Sequence, residues 1–232
     1  MKVAEPSSAA PAGQGAAAFR RGGLALPVRI WVVDNGSQWT HREWRVLRYL
    51  KQDTQMVDNK TPVQDLAAAG LDGLVLSGGA PRVGIDGELG ACGDYLDRLQ
   101  VPILGICAGH QFMARHFGGE AAPGKRPEFG QVEMTISDPD DILQGVPSPT
   151  IVWASHHDEV SRLPEGFRVL ASSEDCPVQV MRHESRPLFG MSFHPEVEHT
   201  QAGVTMFKNF IRICEEAKAK KGEARPALNK AG

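Results

Sequence analysis

The chain has 232 residues and a mass of 25.1 kDa, enough for one α/β domain with a genuine core and too much for a bare peptide module. Hydrophobic residues make up 41% and charged residues 23%, the balance of a globular protein in water, and no apolar run nears the roughly 18 residues of a membrane span. The net charge of -3 divides unevenly, because residues 1 to 27 and 215 to 232 each carry +2 and residues 28 to 214 hold -7, from 17 basic and 24 acidic side chains. That acidic body excludes a nucleic-acid groove, which needs a clustered basic surface.

In chain order, residues 1 to 27 hold eight Ala, four Gly and three Pro without the continuous apolar stretch of a secretory signal, and are expected to be a disordered leader. Arg20 and Arg21 leave a transit peptide formally open. Val28 to Val33 then forms an apolar strand ending at Asp34-Asn35-Gly36, and Trp44, Leu47 and Leu50 recur at helical spacing, which makes a βα unit. Thr61-Pro62 predicts an N-cap and a proline at the first helical position of a short helix that runs to Ala69 and is closed by Gly70. Gly73 to Leu76 and Val101 to Ile106 read as buried strands, each entering a glycine-bearing turn. Repeated βα units with continuous apolar strands predict an α/β fold whose central sheet is mostly parallel, with helices on both faces.

Further on the pattern changes. Gln131 to Ile136, Phe167 to Ala171, Val178 to Met181 and Leu188 to Ser192 are short strand candidates separated by Pro, Asp and Gly, which predicts a small antiparallel extension of the same domain. A last helix starts near Gln201 with the apolar stripe Val204, Phe207, Ile211 and Cys214, and is expected to dissolve at Glu215. The organisation is therefore a leader over 1–27, one domain over 28–214 and a polar tail over 215–232. Cys92, Cys107, Cys176 and Cys214 make no CxxC pair and no Cys/His ligand set, so neither a metal site nor a disulfide framework is expected, and a reducing cytoplasm is the natural compartment.

The sharpest local feature is Gly105-Ile-Cys107-Ala-Gly109-His-Gln111, where an apolar strand hands over to a helix. A tight strand-to-helix turn needs small residues around its central one, as in the G-x-S-x-G nucleophile elbow. Here the centre is a cysteine, at the carboxyl edge of the sheet and over a helix N-terminus whose partial positive charge favours a thiolate. Such a nucleophile needs a base, and the base needs a partner that fixes its tautomer. His194-Pro195-Glu196 follows a strand, and an extended backbone past the proline turns residues 194 and 196 to one side, which predicts a Cys107-His194-Glu196 relay. A zinc reading of His194 to His199 fails on spacing and on the proline. Ser77-Gly78-Gly79 follows another buried strand, and its glycines can turn a backbone N–H toward the sulfur, with Ala108 N–H as the second oxyanion donor. No G-x-x-x-x-G-K-S/T occurs, and Ser-Gly-Gly lacks the Asp-Ser of an ATP pyrophosphatase loop, so the sequence shows no nucleotide site. His156 and His157 cannot chelate together, since neighbours on an extended chain face opposite ways. Asp158 and Glu159 are expected to be solvated loop charges, and His41, His116, His183 and His199 surface or capping residues.

Residues 28 to about 213 resemble the class I glutamine amidotransferases, whose general marks are SGG at 77–79, GICAGHQ at 105–111 and FHPE at 193–196. Within that family the chain is most similar to the separate glutaminase subunit of two-chain, archaeal-type GMP synthases, on DNGSQWTHREWRVLRYL at 34–50, EFG at 128–130, WASHHDEV at 153–160, CPVQVM at 176–181 and HPEVEHTQAG at 194–203. The resemblance implies a flavodoxin-like fold and hydrolysis of L-glutamine to glutamate and ammonia through a γ-glutamyl thioester. It implies Cys107 as nucleophile, His194 as acid and base, Glu196 as its orienter, and an oxyanion hole at Gly79 and Ala108 beside Gly78. It also implies glutamine contacts from Gln111, Ser155 and His156. No cofactor is expected in this chain; ATP and magnesium belong to the implied partner, an ATP pyrophosphatase subunit that turns XMP into GMP, and the loop around Asp158 lies toward it. Three departures stand out: Ala108 where the family commonly has Leu, Ser192 where it often has Gln, and the leader. Two alternatives stay open: a glutaminase serving another acceptor (anthranilate, aminodeoxychorismate or carbamoyl-phosphate type) and a glutaminase-silent regulatory subunit.

Overall fold

The computed structural model describes residues 27–83 and 87–223; the expected leader, Pro27 apart, and the tail beyond 223 lie outside the described residues. The elements run β1 (Ile30–Asn35), α1 (Thr40–Tyr49), β2 (Met56–Asp58), α2 (Val63–Ala68), β3 (Gly73–Gly79), α3 (Cys92–Arg98), β4 (Ile103–Ile106), α4 (Ala108–His116), β5 (Glu120–Ile136), a single 3-10 turn at Asp141–Leu143, β6 (Thr150–Arg162), β7 (Phe167–Ser172), β8 (Val180–His183), β9 (Leu188–Met191) and α5 (Gly203–Glu223).

Among the described residues the strands form one sheet in the order β2-β1-β3-β4-β9-β8-β7-β5-β6. From β2 to β9 every pairing is parallel, and from β9 to β6 every pairing is antiparallel. Alternation along the parallel strands feeds two cores. Ile30, Val32, Val75, Leu104 and Ile106 pack with Leu47 of α1 and with Met206, Phe207 and Phe210 of α5. Val33, Leu74, Leu76 and Ile103 pack on the other face with Leu66 of α2, Leu96 of α3 and Phe112 and Met113 of α4. Helices thus cover both faces of a parallel centre, as the continuous apolar runs predict.

Three expectations need correction. The antiparallel part is not a small extension, because β5 and β6 form a hairpin of 17 and 13 residues. The helix after Thr61 starts one residue late: Pro62 takes the cap position with extended ψ of 135°, and the Thr61 hydroxyl donates to the Asp58 carbonyl at 2.7 Å instead of capping. Finally, the last helix does not dissolve at Glu215 but runs on to Glu223. Arg212 pairs with Glu216 one turn on at 2.8 Å, and Lys218 reaches back to Asp72 at 2.8 Å, so the charged residues that suggested a tail extend the helix over the body.

Candidate active site

The site grows from the carboxyl ends of the parallel strands, where open α/β sheets place their ligands. β4 ends at Ile106, α4 starts at Ala108, and Cys107 between them holds φ of 49° and ψ of -106°, a left-handed conformation that a non-glycine residue adopts only where its surroundings impose it. The imposing element is backbone packed on backbone. A methyl group at Gly105 would lie 2.6 Å from the Gly109 carbonyl oxygen, and one at Gly109 would lie 2.3 Å from the Leu76 carbonyl oxygen. Only glycines let α4 come this close to β3 and β4. The G-x-C-x-G spacing is therefore the cause of the elbow.

β3 delivers the second wall. Ser77 is fully buried and tied to the end of β1: Asn35 donates its backbone N–H to Ser77 Oγ at 3.1 Å and its side-chain amide to the Ser77 carbonyl at 3.0 Å. That fixes the glycines after it. A side chain on Gly78 would meet His194 Cε1 at 3.3 Å and Cys107 Cβ at 3.6 Å, so the missing side chain is what lets imidazole and cysteine share the space.

His194 leaves the sheet just after β9 and is held by its main chain, donating N–H to the Trp153 carbonyl at 2.9 Å and accepting Thr200 Oγ1 at 2.7 Å. Its Nδ1 lies 2.7 Å from Glu196 Oε1, the contact that the His-x-Glu spacing predicts, and Trp39 stands edge-on to its ring with centroids 4.4 Å apart. Burial alone would lower the imidazole pKa, yet the hydrogen bonds and charges of Cys107 and Glu196 outweigh it and raise it to about 10. The imidazolium is thus the favoured form beside the sulfur.

Cys107 sits where two cavities meet. One, of about 300 Å³, is bounded by Trp39, Gly79, Ser155 and His194; the other, of about 140 Å³, by Gly79, Ala108, Gln111, Ser155 and Asp158. Gly79, Ala108, Gln111 and Ser155 therefore converge on the sulfur, and the Ser155 carbonyl oxygen lies 4.0 Å from it. Gln111 turns its amide into the protein, donating to the Asp158 carbonyl at 2.6 Å. His156 borders the smaller cavity, but its ring packs against Glu128, with Nε2 3.0 Å from Oε2. It sits on the face of β6 opposite Ser155, as strand alternation requires.

Three residues escaped the sequence reading. Asp158 is not a solvated loop charge: it is 3% exposed and paired with Arg82 at the cavity floor. Glu128, seen only as part of EFG, is the partner of His156 across the β5–β6 ladder; it accepts Ser173 Oγ at 2.5 Å and Gln179 Nε2 at 2.6 Å. Burial would raise the Glu128 pKa, and the bonds from His156, Ser173 and Gln179 bring it below the usual carboxylate range instead. Glu43, in α1, is fully buried. A signal existed for it, since residue 43 lies four positions from both Trp39 and Leu47, on the inward face of the helix. Glu128, His156 and Cys176 bring ligand-type atoms within 4.8 Å of one another. The carboxylate is already engaged by Ser173 and Gln179, and burial pushes the Cys176 thiol up to about 12, so the group is arranged as a hydrogen-bonded clamp between strands. Chemically, the site can attack a carbonyl carbon with sulfur and move a proton through an imidazole whose far nitrogen is fixed.

Residues 31–214 match the family model for class-I glutamine amidotransferases. A Thermoplasma volcanium protein described as one of the subunits of glutamine-hydrolyzing GMP synthase is 48% identical over 194 residues, 83% of this chain and 95% of that protein. Its Thermoplasma acidophilum namesake is 50% identical over 188 residues, 81% and 93% of the two chains. A crystal structure from Thermoplasma acidophilum, described as that of the same putative GMP synthase component, superposes with a TM-score of 0.80 at 48% identity, over 85% of this chain and 99% of that one. On these matches the chain belongs to the class-I glutamine amidotransferases.

Proposed function

We propose that this chain is the glutaminase subunit of a two-chain GMP synthase. Cys107 attacks the side-chain amide carbon of L-glutamine, and the amides of Gly79 and Ala108, with Gly78 behind them, receive the developing oxyanion. His194 protonates the leaving nitrogen as the C–N bond breaks, which releases ammonia and leaves a γ-glutamyl thioester. It then takes a proton from water, which cleaves the thioester to glutamate. Glu196 orients the ring through both steps. Ser155 and the main chain at His156, whose ring is turned away onto Glu128, hold the α-amino and carboxylate end of glutamine, and Gln111 supports that wall. Ammonia passes to an ATP pyrophosphatase subunit that uses ATP and magnesium to convert XMP to GMP; every step in this chain runs on its own side chains and backbone amides. A cytoplasmic location fits this role, and no helix of the described residues is long and apolar enough to cross a membrane.

The observation that carries the reading is the strained Cys107 at a strand-to-helix elbow, in one cavity with a His194 that Glu196 holds at 2.7 Å. The naming of its relatives as one component of a multi-chain GMP synthase supports the partner. The test mixes this chain with a synthetase subunit, XMP, ATP and glutamine. Equal amounts of glutamate and GMP are expected. Glutamate without GMP would assign the chain to another acceptor, and neither product would make it a silent subunit.

A further inference from the structure

A second carboxyl group lies behind the His194–Glu196 pair, and the scheme above gives it no part. Glu43 has no exposed surface, and neither of its oxygens has a well-formed hydrogen bond among the described residues. Glu196 is in the same position on one side: Oε1 is on His194 Nδ1, while its buried Oε2 is without a partner among the described residues. The helix that carries Glu43 packs on the same His194 ring that Glu196 holds. Trp39, one turn ahead of Glu43, stands edge-on to the His194 ring, and residues four apart share a helical face. On the outer side Arg42, Arg45 and Val46 of the same helix form one wall of a groove whose other wall is Pro195, Glu196 and Val197. After burial itself, the Glu196 charge raises the Glu43 pKa most, His194 and the Gly78 amide lower it, and Cys107 raises it again, with a net rise.

Two carboxyl groups in one dry pocket do not both ionise; they share a proton. Burial and the Glu196 charge push the Glu43 pKa well above the usual range, while Glu196 has an imidazolium to face, so the proton stays on Glu43. One proton placed between them satisfies an oxygen on each side, and a half-satisfied buried network is strongly disfavoured.

We propose that Glu43 is a positioning residue, whose neutral carboxyl donates its O–H to Glu196 Oε2 and so keeps Oε1 of that carboxylate on His194 Nδ1. This rests on the glutaminase reading, since it acts through the ring that reading uses. The Glu43 proton is not consumed: it holds Glu196 still while His194 gains and loses its own.

Two variants test it. Glu43→Gln keeps a donor of similar shape, and Glu43→Leu keeps the volume without one. The infrared difference between the full wild-type chain and Glu43→Gln in neutral buffer is expected to show the carbonyl stretch of a protonated carboxylic acid in the wild type, lost in the variant. A carboxylate band in its place overturns the proposal. In glutamine hydrolysis with the synthetase subunit present, Glu43→Leu is expected to lower kcat about tenfold, the scale of one hydrogen bond to a charged group, with KM changed less than about twofold. Its thermal midpoint is expected to fall, because Glu196 Oε2 is left buried without a donor, and to recover in Glu43→Gln. Glu43→Gln recovers most of the lost kcat. Wild-type kcat in Glu43→Leu, or a Glu43→Gln as slow as Glu43→Leu, overturns it. A wild type that hydrolyses no glutamine would remove the glutaminase reading instead, and the infrared band would still decide where the proton sits.

Discussion

The parallel half of the sheet and the β5–β6 hairpin reach the same cavity by opposite means. In the parallel half the inward positions are apolar except for Asn35 and Ser77 at the strand ends, and Cys107 is placed by close approach of backbones at Gly105 and Gly109. In the hairpin the inward positions of β6 include His156 and Asp158, each paired with a neighbour, Glu128 and Arg82. A nucleophile is thus located by what steric packing excludes, and a substrate wall by what charge pairing satisfies. The first is insensitive to solution conditions, and the second is not. The two halves meet at His110 of α4: it is fully buried, and burial, with His156 adding to it, lowers its pKa to about 3.

The steric half should break hardest. Gly109→Ala puts a methyl group 2.3 Å from a sheet carbonyl that cannot move alone, and is expected to cost about 3 kcal/mol or more in denaturant unfolding. In the hairpin, Glu128→Ala leaves Ser173, Gln179 and His156 without their acceptor, an expected loss of about 2 kcal/mol by the same measurement. A weaker effect of Gly109→Ala than of Glu128→Ala would reverse the contrast.

Titration sharpens it further. His110 has a lowered folded pKa, so the unfolded chain binds more protons and stability falls as pH drops from the ordinary imidazole value of about 6.5 toward 3. Glu128, also lowered, adds its own loss below the ordinary carboxylate value of about 4.3. His194 has a raised folded pKa, so its contribution is full below about 6.5 and is lost as pH rises toward 10. Glu43, raised, loses stability as pH climbs from about 4.3 and offsets the His110 gain up to about 6.5. Stability followed across pH should therefore fall on the acid side below about 4.3 and on the alkaline side above about 6.5. His110→Gln should flatten the acid side, and a profile identical to wild type would contradict the assignment. The smallest effect belongs outside both regions: Lys218→Ala removes an exposed ion pair to Asp72 and should change stability by about 0.5 kcal/mol or less.

The same contrast explains what could be read in the residues alone. Val28 to Val33, Arg29 apart, and Val101 to Ile106 are apolar runs, and the elbow spells its own geometry in glycines, so the parallel centre and the Cys107-His194-Glu196 arrangement were legible. β5 was legible only from Gln131 onward, because Pro123, Gly124, Pro127 and Gly130 break its first half, where the ladder to β6 shifts register between Pro123 and Glu128. β6 alternates correctly, but two of its inward residues are polar and look solvated until their partners, far away in sequence, are known. Glu43 was hidden for the same reason. Its spacing marks the inward face of a helix, and its charge argues against burial. Continuation of α5 past Glu215 depended on Asp72, 146 positions from Lys218.

Catalysis rests on sulfur at position 107 and is tested most directly by Cys107→Ala in the reconstituted pair, with GMP formation measured separately from glutamine and from free ammonium. Glutamine-dependent synthesis should vanish while ammonium-dependent synthesis persists at the wild-type rate, because the elbow's fold survives a smaller side chain. Continued use of glutamine by Cys107→Ala would contradict it.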